Sequence, residues 1–471
     1  MRSWTTELLV LITFAQLAAC SGDPGDTDAS TSDGGTEGTS DAETSDGTAG
    51  TSDAETSDGT EGTSDAETSD GTESTGEIDP IHEMICGQLG ALGDPDESYA
   101  VPGVAGAPRW GLPPAPPPAP RVRRSWSSLS AADKQQVVDA FLALKSVTVD
   151  SGDPGSSRAA YNSFCEDAQL GLTPYAKNLY DFYVEAHINA FVSMRTEQMP
   201  MSRMAHMAPQ FLPWHRYLLL RLEADMAEAI GDPDFALPYW DWEDCWEDGD
   251  PGTCAPIFEA EFLGTAGGCD DATRVVQGYL PDNGFTVNVA SVGGLMNFTG
   301  GGLVCAPRPI VREVGCSGSV VGPPDAAEIA GIFARPVYDA APYDSCYTEE
   351  DVSFRQYLEG FNNGDLDPIC VAAGCTLHGR GHEWIGGDMT INSTPNDPMF
   401  FLHHNNVDRM WAAWQEANLA SGDAARVVDH GNPGYPEGDY RGPLFVFDEV
   451  RADELFEYRA LGYEYDALPS E

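Results

Sequence analysis

The sequence predicts a mainly α-helical domain with few, short strands, and three observations carry that expectation. Apolar residues recur at helical spacing, as in Val137, Val138, Phe141, Leu142 and Leu144, and again in Leu218, Leu219 and Leu222. Start signals stand in front of such runs: Ser130 and Asp133 have capping-box spacing, and Asp397-Pro398 offers a good cap followed by a residue suited to the first helical position. Between 245 and 345 the chain is rich in Gly, Pro and Cys and is expected to be mostly loop. The expected helices begin near Ser130 and then cover about 174–194, 214–230 and 398–418, with a short one near 376–384.

From the N-terminus, residues 1–20 have the pattern of a secretory signal, with Arg2 and a short apolar core too brief to span a membrane. Leu17-Ala18-Ala19-Cys20 is similar to a bacterial lipobox, so lipidation of Cys20, a membrane anchor, and a domain outside the cytoplasm in the cell envelope are expected. Residues 21–79 form an acidic linker containing three near-identical twelve-residue repeats (38–73) without an aromatic or branched aliphatic residue. Such a segment cannot bury enough apolar surface to offset its ordering entropy and is expected to stay disordered. Residues 80–120 are a Pro-rich extension, and 121–471 form the folded domain.

Charge narrows the partners. The net charge is −52, and beyond residue 79 the chain still carries 57 acids against 23 bases. Nucleic acid and anionic membrane surfaces would be repelled. Of eleven cysteines, setting aside Cys20 leaves ten, an even number suited to disulfides in an oxidising compartment. Cys245/Cys254 and Cys370/Cys375 are close pairs that could staple loops; the pairing of the other six is open. No CxxC pair exists, which disfavours a zinc–thiolate site.

Seven of the nine histidines fall in two clusters: His187, His206 and His215, then His378, His382, His403 and His404. His378 and His382 are four apart, so on a helix they share a face and can share a metal. His404 lies in the first turns of another helix, and Asp408, four residues on, is spaced to hold a histidine ring. His215 opens a helix whose leucines pack inward. One HxxxH is weak; two clusters, each able to supply three ligands from strong helices, are not. "HGRGH" lacks the glutamate of the zinc-protease HExxH pattern. Two all-imidazole sets of three suit copper.

"HMAPQFLPWHRYLLLRLE" resembles the copper A signature of tyrosinases, and "DPMFFLHHNNVD" the copper B signature. "LPYWDW", "GGDM", "LGYEYD" and "RVRRSWSSLS" are similar to further landmarks of that family, so the resemblance covers about 121–471. It implies a four-helix bundle holding a type 3 dicopper centre, with long disulfide-stapled loops. His187, His206 and His215 would hold one copper. His378, His382 and His404 would hold the other, with His403 as a supporting neighbour. O2 would be the co-substrate, and o-diphenols or o-aminophenols would be oxidised to quinones.

The resemblance also ranks activities. Glu359 matches a glutamate that, with an asparagine, holds a water thought to deprotonate monophenols; the asparagine position is Gly379, so hydroxylation should be weak. Glu383, after His382, is a second candidate base. Ile391 falls where plant enzymes carry a blocking phenylalanine, which implies an open pocket. No cysteine lies between 187 and 206 to form a thioether with His206. The sequence as given stops shortly after the Tyr463–Tyr465 landmark, so activity without proteolytic trimming is expected. Two other readings are an O2-binding protein of the hemocyanin kind and a modifier of tyrosine side chains on envelope proteins. The oligomeric state has no signal in the sequence.

Overall fold

A computed structural model describes residues 119–147, 178–192, 194–196, 199–203, 205–246, 255–291, 303–317, 320, 322–340, 343, 352–360, 376–420, 444, 447 and 450–470. The expectations for the signal, Cys20, the repeat linker, most of the Pro-rich extension, and Cys86, Cys165, Cys254, Cys346, Cys370 and Cys375 lie outside them.

Helix α1 (Ala131–Ser146) starts as its sequence dictates: Ser130 accepts from the Asp133 N–H, and Asp133 accepts from the Ser130 N–H. Helix α2 (Leu179–Val192) begins at Leu179, where Asn178 Oδ1 accepts the Asp181 N–H at 2.9 Å. Helix α3 (Phe211–Ile230) starts three residues earlier than the pattern suggested. Pro213 then falls in the first turn, where a missing N–H loses no bond. Short helices α4 (Tyr279–Asp282), α5 (Ala326–Ala330) and α6 (Phe354–Glu359) lie in the long connection. Helix α7 (Leu377–Ile385) and helix α8 (Met399–Ala420) complete the set. Asp397 caps α8 by accepting the Met399 N–H at 3.0 Å, and its carboxylate also grips the buried Arg312 through two bonds of 2.6 Å.

The fold is mainly α, built around a bundle in which α2, α3, α7 and α8 carry the clustered histidines except His206, which precedes α3. Helix α3 packs on both α1 and α8, and α8 on α7. Trp214, Trp240, Trp411 and Phe401 are among the fully buried side chains. Strands are few among the described residues. Strand β1 (Arg121–Arg123) pairs in parallel with the last strand, and the antiparallel pairs are β2 (Met194–Thr196) with β3 (Met199–Arg203) and β4 (Ala290–Ser291) with β5 (Leu303–Val304). The last strand, β6 (Tyr463–Tyr465), lies with Tyr463 opposite Arg121.

The β1–β6 pair explains two of the landmarks. It brings Arg123 onto Glu223 of α3 at 2.9 Å and onto Asp408 of α8 at 3.3 Å. Asp408 also pairs with Arg216 at 2.5 Å and accepts from the hydroxyls of Tyr463 and Tyr465 at 2.5 and 2.6 Å. Burial works to raise its pKa, but Arg216, Arg123 and the two hydroxyls outweigh burial and hold the carboxyl below its usual range. The expectation that Asp408 holds a histidine ring is therefore corrected. Although four residues from His404, its carboxylate is taken by two guanidiniums and two phenols that need a buried anion.

One disulfide, Cys269–Cys316, joins two described loop residues, and Cys245 and Cys305 are disulfide-bonded as well.

Candidate metal centre

Two triads of buried histidines converge in the bundle: His187, His206 and His215, and His378, His382 and His404. Within each, one ring nitrogen per residue lies within 4.8 Å of the others. His187 comes from α2, His215 from the second turn of α3, and His206 from the bend before it. His378 and His382 share a face of α7, and His404 comes from the second turn of α8. The rings of His215 and His404 stack at 4.3 Å, so the triads adjoin across the α3–α8 contact.

The rings are aimed by backbone. His187 Nδ1 meets the Asn392 carbonyl at 2.9 Å; His215, His378 and His382 meet those of Phe211, Glu359 and Met389, each at 2.8 Å. A carbonyl only accepts, so each Nδ1 carries the proton and each Nε2 keeps its lone pair. The consequence is visible in the second triad. Nε2 of His378 lies 2.9 Å from that of His382 and 3.2 Å from that of His404. The Nε2 atoms of His378 and His382 both lack a proton, so facing one another they repel unless a cation sits among them. In the first triad, His215 Nε2 is buried without a hydrogen-bond partner. Burial lowers the pKa of all six rings, to about 3 for His187 and about 4 for His382, so they stay neutral. Neutral imidazoles with convergent lone pairs fit a pair of transition-metal ions.

Two phenylalanines wall the centre. Phe400 lies 4.0 Å from the His404 ring and 4.9 Å from His187. Phe211 lies 4.8 Å from His215 and 4.9 Å from His378. Trp214 adds a contact to His215 at 4.8 Å.

His403 points away from the convergence. Its Nδ1 accepts from the Trp242 indole at 3.1 Å, and its Nε2 donates to the His378 carbonyl at 3.1 Å. Its ring stacks on His378 at 5.4 Å. It fits there because residue 381 is glycine; a Cβ at Gly381 would collide with His403 Cε1.

Glu359, at the end of α6, is 1% exposed. One oxygen accepts the Met207 N–H at 2.5 Å, and the other pairs with Arg355 at 2.8 Å. Burial pushes its carboxyl up to about 7 against those two contacts. Glu383 is half-buried; burial raises its pKa, and a hydrogen bond from Ser317 opposes the rise. Gly379 is buried on α7 and offers no side-chain amide. Ile391 is half-buried, one residue before the carbonyl that holds His187. Sequence reasoning missed the roles of the Met389 and Asn392 carbonyls and of Gly381. No side-chain pattern marks a carbonyl, but "HGRGH" with two glycines was a signal for close packing.

A family model described as the common central domain of tyrosinase matches residues 177–417, a span holding both triads. The chain is 31% identical over 335 residues to a tyrosinase of Streptomyces antibioticus, covering 70% of this chain and 97% of that protein. It is 32% identical over 244 residues to a grixazone synthase of Streptomyces griseus, covering 51% and 76%. Among solved structures, a polyphenol oxidase variant from Thermothelomyces thermophila has a similar fold. That match has a TM-score of 0.51 and 21% identity, over 74% of this chain and 91% of the other.

Proposed function

The chain belongs to the tyrosinase family of type 3 copper oxidoreductases, and from that premise we propose that it oxidises o-diphenols or o-aminophenols to quinones with O2, with weak hydroxylation of monophenols. The coppers, when bound, supply the redox change and the O2 chemistry. His187, His206 and His215 would hold one, and His378, His382 and His404 the other. Phe211 and Phe400 pack against rings of both triads and give the centre apolar walls. Ile391, where plant relatives carry a blocking phenylalanine, would leave room for a ring-shaped substrate.

The observation that carries the diphenol preference is the pairing of Gly379 with an engaged Glu359. A monophenol must lose its proton to a base. Both Glu359 oxygens already accept from Met207 and Arg355, and Gly379 has no side-chain amide to help hold a water. Glu383 is the alternative base, but it takes a bond from Ser317. A diphenol needs less help, because its proton is more acidic and no hydroxylation precedes oxidation.

The test is O2 uptake by the copper-loaded protein with catechol, o-aminophenol and tyrosine side by side. Uptake with the first two and little with tyrosine is expected; rapid uptake with tyrosine would overturn the preference. The lipid anchor at Cys20 and a place in the cell envelope belong to the same proposal and rest on residues 1–20. Replacing Cys20 by Ser should release the protein from membranes, and retention would count against the anchor.

A further inference from the structure

Both triads lean on one short turn. The Met389 carbonyl takes the Nδ1–H of His382 at 2.8 Å, and the Asn392 carbonyl takes that of His187 at 2.9 Å. His382 belongs to one triad and His187 to the other. Two carbonyls three residues apart therefore aim one ligand of each metal, and neither can move without turning a ring.

The turn has little regular backbone to hold it. It runs through a 3-10 segment, Gly387–Thr390, entered at Gly386 and Gly387 with φ of 67° and 56°. A Cβ at Gly387 would collide with the Val311 carbonyl, so turn and neighbouring loop lie backbone to backbone. Asp388 makes the fixed contacts. Its side chain is buried, and one oxygen accepts the Val311 N–H at 2.9 Å and Arg308 Nη1 at 2.8 Å. The other oxygen pairs with Arg308 Nη2, and the Asp388 N–H donates to the Val311 carbonyl at 2.9 Å.

The loop that receives Asp388 is itself tied down. Glu313 N–H bonds the Ile385 carbonyl at 3.1 Å and Gly315 N–H that of Trp384 at 2.8 Å, at the end of α7. Arg312 N–H bonds Arg274 O at 2.9 Å, and the Cys269–Cys316 disulfide closes the same ladder.

We propose that Asp388, gripped by Arg308 and the Val311 N–H, is a positioning residue for both copper sites at once, through the turn that presents the Met389 and Asn392 carbonyls. The inference rests on the dicopper assignment above. Asp388 bonds Arg308 and Val311, and it acts on the ligand rings through the backbone.

The test is the rate at which copper leaves the fully loaded protein on challenge with EDTA, for wild type, Asp388→Ala, Arg308→Ala and a control, Arg274→Ala. The control removes a half-exposed pair with Glu313 on the same loop without touching the turn. Outer groups that orient metal ligands typically contribute about 10–100-fold in affinity. Asp388→Ala is expected to release both coppers about 10–100-fold faster than wild type. Arg308→Ala should shift both in the same direction by less, and Arg274→Ala should match wild type. Apoprotein melting is followed in parallel, because a purely structural role would lower it in Asp388→Ala and leave copper release unchanged.

Release from Asp388→Ala no faster than from the control overturns the proposal. So does acceleration of one copper while the other leaves at the wild-type rate. If Asp388→Ala does not accumulate folded, Asp388→Asn keeps an acceptor for Val311 while losing the ion pair, and unchanged release from it overturns the proposal. A wild-type protein that takes up fewer than two coppers would instead overturn the dicopper assignment beneath it.

Discussion

The two copper triads are built differently. The copper B triad is local: His378 and His382 sit one turn apart on α7, and His404 is fixed by a helix with a strong cap. The copper A triad is assembled from three separate pieces: α2, the bend before α3, and α3 itself. His206 stands beside Met207, whose φ of 52° is unusual for a side-chain-bearing residue, and the Met207 N–H is held by Glu359 from a helix 152 residues away in sequence. Copper B geometry follows from helix periodicity, whereas copper A geometry exists only when distant segments have docked. One turn, Met389 to Asn392, then serves both.

The comparison is broken most directly by removing a ligand from each side. His206→Ala and His382→Ala should each lose one copper and lower catechol oxidation to background. The remaining copper should stay bound more firmly in His206→Ala, because the local copper B site survives damage to its neighbour. Metal content of the purified variants checks this, and loss of both coppers from both variants would erase the asymmetry.

Acid should act on both triads. The folded-state pKa values of the histidines are lowered from about 6.5, to about 3 in His187 and about 4 in His382. Their contribution to stability is complete above the unfolded value near 6.5 and is lost as pH falls toward the folded values. Apoprotein melting should therefore be flat above pH 7 and fall between pH 6.5 and 4, with copper release over the same window. A melting temperature that rises on acidification through that window would contradict the neutral-imidazole account.

Asp408→Ala tests the frame that joins the sites. It would leave Arg216 with an uncompensated buried charge and Arg123 with Glu223 alone, a cost of about 3–5 kcal/mol. Denaturant unfolding measures it, and because Arg216 follows His215 while Asp408 follows His404, both coppers should be affected alike.

The asymmetry sharpens again with Gly381→Ala. Overpacking against His403 should cost about 1–3 kcal/mol and weaken copper B while sparing copper A. Trp242→Phe is the mildest change. It removes the indole donor to His403 Nδ1 at a cost of about 1–2 kcal/mol, and should shift copper B release only.

What the sequence made legible follows the same division. Helix α7 and its two histidines were visible from spacing alone, and Ser130 with Asp133 marked the start of α1. His187 and His206 stand out in the sequence as members of a cluster, but their place on one copper comes from the family resemblance, because nothing local says that α2 and the bend will meet. Asp408 misled because i,i+4 spacing says which face a residue occupies but not which charges arrive there from elsewhere. Arg123 and the two tyrosines reach it from β1 and β6, more than 50 residues away or nearly 300 in sequence. The grip of Arg312 on Asp397 and of Arg308 on Asp388 was hidden for the same reason, both arginines lying in a stretch that reads only as loop. The pattern places the start of helix α3 three residues late, and Pro213 is a first-turn residue whose missing N–H loses no bond.

The central claim is that six histidines form one dinuclear oxidase site, and it is tested most directly by measuring catechol-dependent O2 uptake while copper is added to the apoprotein in known equivalents. Uptake should stay low at one copper per chain and reach its maximum at two. A maximum at one equivalent, or two bound coppers with no uptake from catechol or o-aminophenol, would contradict it.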